Sequence, residues 1–284
     1  MPARPRESTL TTLHAFAALP MSAEDAEGGF HAPEIGEFFP ESFLFLGTPF
    51  EINRIMMVRL IAMAVVVLVF VLFVRRSRLV PSRFTSTVEL MLDLVRTQIA
   101  EQILGLKDGR KFLPLLATMF FMIFALNITG VIPLLNIGGT SVIGVPMLLA
   151  AISYVTFIFV GVRAQGVGGY LKSNLFPPGV PKPLYVLVTP IEFASTFLIR
   201  PFSLTIRLLA NLIAGHLLLV LCFSATDYFL GELLSGEAIG VFFLLTLLGG
   251  FAFTLFELLV AVLQAYIFTL LTAVYISGAL HPEH

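Results

Sequence analysis

Apolar residues form long blocks along this chain, and most charged residues lie between the blocks. A bilayer core of about 30 Å is spanned by about 20 apolar residues in a helix, so the pattern predicts membrane helices at 55–74, 112–135 and 146–162. Two later blocks, 184–224 and 238–278, hold about 40 residues each, or about 60 Å of helix. Each is either two short spans or one steeply tilted span. The prediction is an all-α polytopic membrane protein with about five membrane helices.

A charged segment follows the first span and has its apolar residues at helical spacing. Residues 86–104 include Glu89, Asp93, Arg96 and Glu101. They are too charged to cross the bilayer, and they predict an amphipathic helix along the cytoplasmic surface. The basic cluster RRSRLVPSR before them should stay in the cytoplasm. We therefore expect the N-terminus outside and, after five crossings, the C-terminus in the cytoplasm.

The first 53 residues are more polar than the rest of the chain and are punctuated by proline. They predict an external N-terminal tail or loop, partly disordered, before a membrane domain at 54–284. Residues 1–30 begin with Arg4 and Arg6 and contain a short semi-apolar run. Their role stays open between a targeting segment, a disordered tail and a misplaced start.

The two long blocks are predicted to form a helical hairpin. Three acidic residues and no lysine or arginine lie between them: Asp227, Glu232 and Glu237. This bias places the loop outside and favours one crossing for the first block, which requires a tilt of about 60°. An antiparallel hairpin sets Arg207 level with Gln264. The same register sets His216 level with Glu257, although His216 points away from Arg207.

A polar stripe follows one face of the first long block. Its members recur at spacings of three or four residues: Glu192, Thr196, Arg200, Ser203, Arg207 and Asn211. Arg200 precedes a proline and has the reach to snorkel to a headgroup. Arg207 has apolar residues beyond it for more than a turn. A charge at membrane depth costs between about 3 and more than 10 kcal/mol and usually marks an ion path.

Composition excludes a soluble enzyme. Hydrophobic residues make up 57% of the chain and charged residues 12%, with a mean hydropathy of +0.96, so a polar surface cannot be formed. The single cysteine, Cys222, lies in an apolar run. The sequence has no metal-ligand spacing, no glycine-rich phosphate loop and no Gly-x-Ser-x-Gly elbow. We expect no cofactor, no metal and no nucleic-acid partner.

Three stretches carry a family resemblance: RPFSLTIRLLANLIAGHLLL, FELLVAVLQAYIFTLLTAVYISGAL and FLPLLATMFFMIFALNITGVIPLLN. They resemble subunit a of the F-type rotary ATP synthase, the membrane stator beside a rotating ring of c subunits. The resemblance covers the chain from about Pro33 onward. It implies a non-catalytic subunit in which two aqueous half-channels couple proton flow to rotation of the ring and to ATP synthesis.

The resemblance also implies roles for particular residues. Arg207 matches the family's essential arginine, which faces the carboxylate of a c subunit, and Gln264 matches the glutamine facing that arginine. His216 and Glu257 match two half-channel positions. The pair favours protons over sodium ions.

Four further residues are expected along the proton path. Asn127 is the polar liner expected in the second span. Glu192, Ser203 and Asn211 run toward the cytoplasmic end of the stripe and are expected to line the other half-channel.

The implied partners are the c ring, the b subunits of the peripheral stalk and the rest of the ATP synthase. The implied location is the bacterial plasma membrane, with an organellar energy-transducing membrane as the alternative. A secondary ion-coupled transporter is the main rival function, although no repeated halves are evident in the sequence. A structural membrane anchor is the second rival, and it would tolerate loss of Arg207.

Overall fold

The computed structural model describes five stretches of the chain: 42–44, 52–76, 82–132, 138–176 and 180–281. Most of the predicted N-terminal tail lies outside the described residues. Two short strands of that region, Ser42–Leu44 (β1) and Ile52–Asn53 (β2), pair antiparallel just before the first helix.

Helices make up nearly all of the described chain. The α-helices are α1 (Arg54–Arg76), α2 (Arg83–Asp93), α3 (Gln102–Ile128), α4 (Gly144–Leu175), α5 (Tyr185–Ala194), α6 (Arg200–Ser235) and α7 (Phe243–Leu280). Wider π-helical turns join α2 to α3 and α5 to α6, at Leu94–Glu101 and Ser195–Ile199. Short 3₁₀ turns precede α5 and α7, at Lys182–Leu184 and Ala238–Phe242. Five helical runs of the described residues are long and apolar enough to cross a membrane, which confirms the predicted all-α polytopic fold.

Helix α1 is apolar on every side but buries one narrow stripe. Ile55, Val58 and Ala62, spaced by three and four residues, are at most 3% exposed, and the helix packs against α3. Large side chains on its other faces, such as Val67 and Leu68, are more than half exposed. A helix that leaves this much apolar surface uncovered is suited to lipid rather than to water.

The turn between the surface segment and the second span lies at Gly105. Its φ of 78° is left-handed, a conformation that glycine adopts without the Cβ penalty of other residues. A Cβ at Gly109 would lie 2.7 Å from the carbonyl oxygen of Ala100, so the two arms approach closely there. The charged residues of 107–111 follow this turn and lie in the helix that continues into the second span.

The second span ends earlier than predicted. It was expected to reach 135, but α3 ends at Ile128. A turn follows, in which the amide of Gly130 donates to the carbonyl of Asn127 at 3.1 Å. Gly130 and the nearby Pro133 are residues that end helices.

The third span also differs from its prediction. The span was expected to end at 162, yet α4 continues to Leu175 with one break at Gly166, where φ is 75°. Beyond the break the chain folds back, since a Cβ at Gly161 would collide with the ring of Tyr170. The prediction was wrong because one left-handed glycine redirects a helix without ending it.

The two long blocks are a hairpin of two uninterrupted helical runs, 185–235 and 238–280. The first run extends past the predicted end at 224. Gly236 ends it in the left-handed conformation, with φ of 90°, and the amide of Glu237 donates to the carbonyl of Glu232 at 3.0 Å. Helices α6 and α7 pack against each other. The tilt of the hairpin in the membrane stays a prediction.

The π-helical turn at Ser195–Ile199 changes the phase of the polar stripe. The stripe was predicted with a regular α-helical period throughout, which is wrong at this turn. Pro201 explains the wider turn, because proline lacks an amide hydrogen and its ring clashes with the carbonyl four residues earlier, that of Phe197. Thr196 is 1% exposed within the turn, whereas Glu192 is half-buried on the preceding helix.

Candidate functional site

A narrow polar cavity lies between α3, α6 and α7. Its lining contains four polar residues that the sequence singled out, each on a different turn of these helices: Asn127, Asn211, Glu257 and Gln264. The remaining lining residues are apolar: Leu208, Leu212, Val260 and Ala261. The structure thus brings together half of the eight predicted site residues in one enclosure that admits little more than water.

Glu257 lines the cavity from α7. Its side chain packs against Gly215, where an added Cβ would collide with Oε2. The residue is 7% exposed. No hydrogen-bond donor within the described ranges contacts its carboxyl group. Ionising an acid in such surroundings is costly unless water solvates the carboxylate.

Three amide side chains, those of Asn127, Asn211 and Gln264, complete the polar lining. Asn127 lies at the end of α3, is 5% exposed, and accepts a hydrogen bond at Oδ1 from the Thr140 hydroxyl at 2.8 Å. Gln264 is 6% exposed, and its Oε1 has no hydrogen-bond partner in the described part of the chain. A buried amide oxygen of this kind can accept a hydrogen bond, and leaving it without a donor is costly.

Arg207 lies one residue before the cavity lining and outside it. The side chain is half-buried. Among the described residues, no carboxylate lies within 4.0 Å of its guanidinium. Arg207 was predicted to lie level with Gln264. Leu208, the next residue after Arg207, lines the same cavity as Gln264, which agrees with that prediction. Arg207 does not donate a hydrogen bond to Oε1 of Gln264.

Arg200 has a different environment from Arg207. Its guanidinium lies 5.2 Å from the centre of the Tyr275 ring on α7, within cation–π range. The charge is therefore held inside the helix bundle rather than reaching away from it, as snorkelling would require. Ser203, one turn beyond it on the stripe, is half-buried and lies outside the cavity lining.

His216 lies on the buried side of α6, at 7% exposure. The residue in contact with Glu257 is Gly215, the neighbour of His216. The levels of the hairpin are thus as predicted to within one residue, and the pairing of His216 with Glu257 itself stays a prediction.

Two contributors to this site were missed in the sequence. Arg59 lies near the start of the apolar block 55–74, and this single arginine was a signal that the high mean hydropathy of the block concealed. Thr140 gave no signal, since a threonine in a glycine-rich turn predicts nothing about an asparagine 13 residues earlier.

The fold and the site define a polytopic membrane protein that holds ionisable side chains at membrane depth, the usual mark of an ion path. The sequence profile of the family described as ATP synthase A chain matches residues 56–277. The chain therefore belongs to the ATP synthase A chain family, which decides against the transporter and anchor alternatives.

Individual relatives agree with the profile. The chain is similar to the ATP synthase subunit a of Rhodococcus erythropolis, with 50% identity over 89% of this chain and 92% of the relative. It is 37% identical to the subunit a of Pseudarthrobacter chlorophenolicus over 94% of this chain and 98% of that one. The subunit a of a Parafrankia species is 40% identical over 90% of this chain and 86% of its own length.

Proposed function

We propose that this chain moves protons through two aqueous half-channels that are separated by Arg207. The family supplies the coarser statement: the chain is a proton-translocating, non-catalytic membrane subunit of the ATP synthase complex. The observation that carries the finer one is the polar cavity. It holds a buried acid beside three amides, one helical turn or less from an arginine that has no carboxylate partner within the described ranges.

The outer half-channel in this proposal contains Glu257, Asn127 and His216. All three lie toward the end of the bundle that carries the acidic hairpin turn. A carboxyl group and an imidazole can both be tuned to exchange protons near neutral pH. Asn211 was expected in the other half-channel. Because it lines the same cavity as Glu257, we now assign it to this one.

The cytoplasmic half-channel contains Ser203 and Glu192. Both are half-buried on the same long helical run as Arg207, on its far side from the hairpin turn. The wide turn at Ser195–Ile199 lies between them. A π-helical turn leaves backbone carbonyls poorly paired and often marks a functional segment, which suits a path lined by water.

Arg207 acts as both attractor and barrier. The guanidinium stays charged at every physiological pH. It therefore favours ionisation of an arriving c-subunit carboxyl group, whose proton leaves toward the exit, and it then attracts the carboxylate that remains. The same charge repels protons that would pass directly between the half-channels. A proton that crosses 100 mV supplies about 2.3 kcal/mol, so even a slow leak lowers the yield of ATP.

The partners in this proposal are the c ring, the b subunits of the peripheral stalk and the lipid bilayer. Exposed apolar faces on α1 and on the hairpin support a position between lipid and a second apolar surface. The proposed location is the bacterial plasma membrane, with the N-terminus outside and the C-terminus in the cytoplasm. The bacterial relatives support that location.

Replacing Gly215 with alanine tests the role of the Glu257 cavity. The new Cβ would collide with the carboxyl group and push it out of place. We expect passive proton flow through the membrane sector to fall by on the order of tenfold to 100-fold, the usual cost of misplacing a reacting group. Flow is measured with a pH-sensitive dye in vesicles stripped of the catalytic head.

Gly231→Ala is the matched control, because it lies on the same helix and an added Cβ there meets no atom within 4 Å. It should conduct like the parent protein. Equal flow through both alanine variants, at equal amounts of assembled complex, would remove Glu257 from the path.

Disulfide crosslinking tests which face of α6 meets the ring. Ala210 and Ala214 are exposed and lie three and seven residues beyond Arg207, on its face. In a Cys222→Ser background, cysteines at these positions should crosslink to a cysteine placed beside the c-subunit carboxylate. Leu212→Cys, buried at 4% exposure, is the control and should not. Crosslinks from Leu212 alone, or from no position on α6, would refute the proposed face.

A further inference from the structure

Arg59 makes an unusual contact for a residue in an apolar helix. It is half-buried on α1. Its Nε donates to the carbonyl oxygen of Gly139 at 2.8 Å, and a terminal nitrogen donates to that of Val142 at 3.4 Å. Both carbonyls belong to the turn 138–142, which precedes α4. The fork of one guanidinium thus holds the turn at two points.

The clamped turn is bonded directly to the cavity lining. Thr140 is fully buried and donates its hydroxyl hydrogen to Oδ1 of Asn127 at 2.8 Å. The amide of Gly139 lies 2.9 Å from the carbonyl oxygen of Leu126 and 3.2 Å from the hydroxyl of Thr129. With Oδ1 engaged by Thr140, the amide nitrogen of Asn127 is the donor that can serve the cavity.

The other side of the turn presses on the hairpin. A Cβ at Gly138 would collide with the side chain of Leu212, and Leu212 lines the cavity with Asn127. The turn therefore touches two walls of the cavity at once. A shift of the turn would move Asn127 and Leu212 together.

We propose that Arg59 is a positioning residue for proton flow, which sets the wall of the Glu257 cavity through the turn 138–142. The inference rests on the proposed function of that cavity. Arginine suits the role because its planar fork reaches two carbonyls and never loses its charge. A lysine ammonium lacks this planar fork, so it matches the two carbonyls less well.

The test measures passive proton conduction in vesicles that carry the whole membrane sector with the catalytic head removed. Arg59→Gln should conduct about tenfold less than the parent, as expected for loss of a charge-assisted hydrogen bond that fixes a working group. Arg59→Lys should restore part of that loss. Arg75→Gln, at the exposed end of the same helix, is the control and should conduct normally.

A double variant separates positioning from general damage. If Arg59 acts through Asn127, Arg59→Gln should cost less than about twofold once Asn127→Ala is present, because the two residues are coupled. Independent structural damage would instead multiply the two losses. Multiplied losses, or normal conduction by Arg59→Gln when Asn127→Ala is impaired, would overturn the inference but leave the proposed cavity standing.

Thr140→Val decides the matter if Arg59→Gln fails to assemble with the ring. It removes only the hydroxyl that holds Asn127 and should reproduce the loss at normal assembly. Thr118→Val, whose hydroxyl bonds its own helix at the carbonyl of Pro114, is its control. Normal conduction by Thr140→Val would refute the inference. Normal conduction by Asn127→Ala would also refute it, and would count against the proposed path itself.

Discussion

Arg207→Ala is expected to abolish ATP-driven proton pumping, by more than about 100-fold, while ATP hydrolysis by the detached catalytic head continues. Removing the charge removes the group that draws in the c-subunit carboxylate and the barrier between the half-channels. An arginine without a carboxylate within 4.0 Å in the described chain would be too costly to keep at membrane depth without such a role. Acidification of inverted vesicles, followed by quenching of a pH-sensitive dye, measures the pumping.

Two variants control this result. Arg163→Ala removes an exposed arginine from the end of the third span and should pump normally. Arg207→Lys keeps a positive charge but can deprotonate when buried, so it should pump weakly and leak. Normal pumping by Arg207→Ala, with intact assembly, would contradict the proposed role of the arginine.

Glu257→Gln is expected to slow proton flow by roughly 100-fold, the usual contribution of a positioned acid–base group, with little loss of assembled complex. Glutamine has nearly the same size as glutamate, so it fills the space against Gly215 but cannot carry a proton. The rate of ATP synthesis at low driving force is the sensitive measurement, because proton entry limits it there.

Glu232→Gln makes the same chemical change near the turn of the hairpin, where the side chain is half-buried outside the cavity. It should synthesise ATP at the parent's rate. If Glu257→Gln also matched the parent at low driving force, the acid would play no part in proton entry.

The spans could be predicted from the sequence because hydropathy and length act over about 20 residues at a time. The five runs follow from such averages. The breaks at Gly105 and Gly166 could not be predicted, since a glycine in a helical pattern is tolerated as often as it turns the chain. The π-helical turn before Pro201 relieves a clash between the proline ring and the carbonyl of Phe197. Hydrophobic periodicity carries no information about such a clash.

Part of the site could be predicted from the sequence for a related reason. The position of the hairpin turn determines which residues of α6 and α7 lie at the same level. The contact of Glu257 with the segment near His216 was therefore predicted to within one residue. Contacts between residues from distant parts of the chain could not be predicted in this way. Arg59 reaches a turn 80 residues away, and only the packing of α1 on α3 brings them together.

Proton leakage through a complex whose rotor is locked tests the central claim most directly. Vesicles carry a pH gradient while the catalytic head is held by a non-hydrolysable nucleotide, so protons can cross only by passing straight between the half-channels. The account predicts that the parent holds the gradient and that Arg207→Ala dissipates it, because the fixed charge is the barrier. An Arg207→Ala complex that holds the gradient as tightly as the parent would contradict that claim.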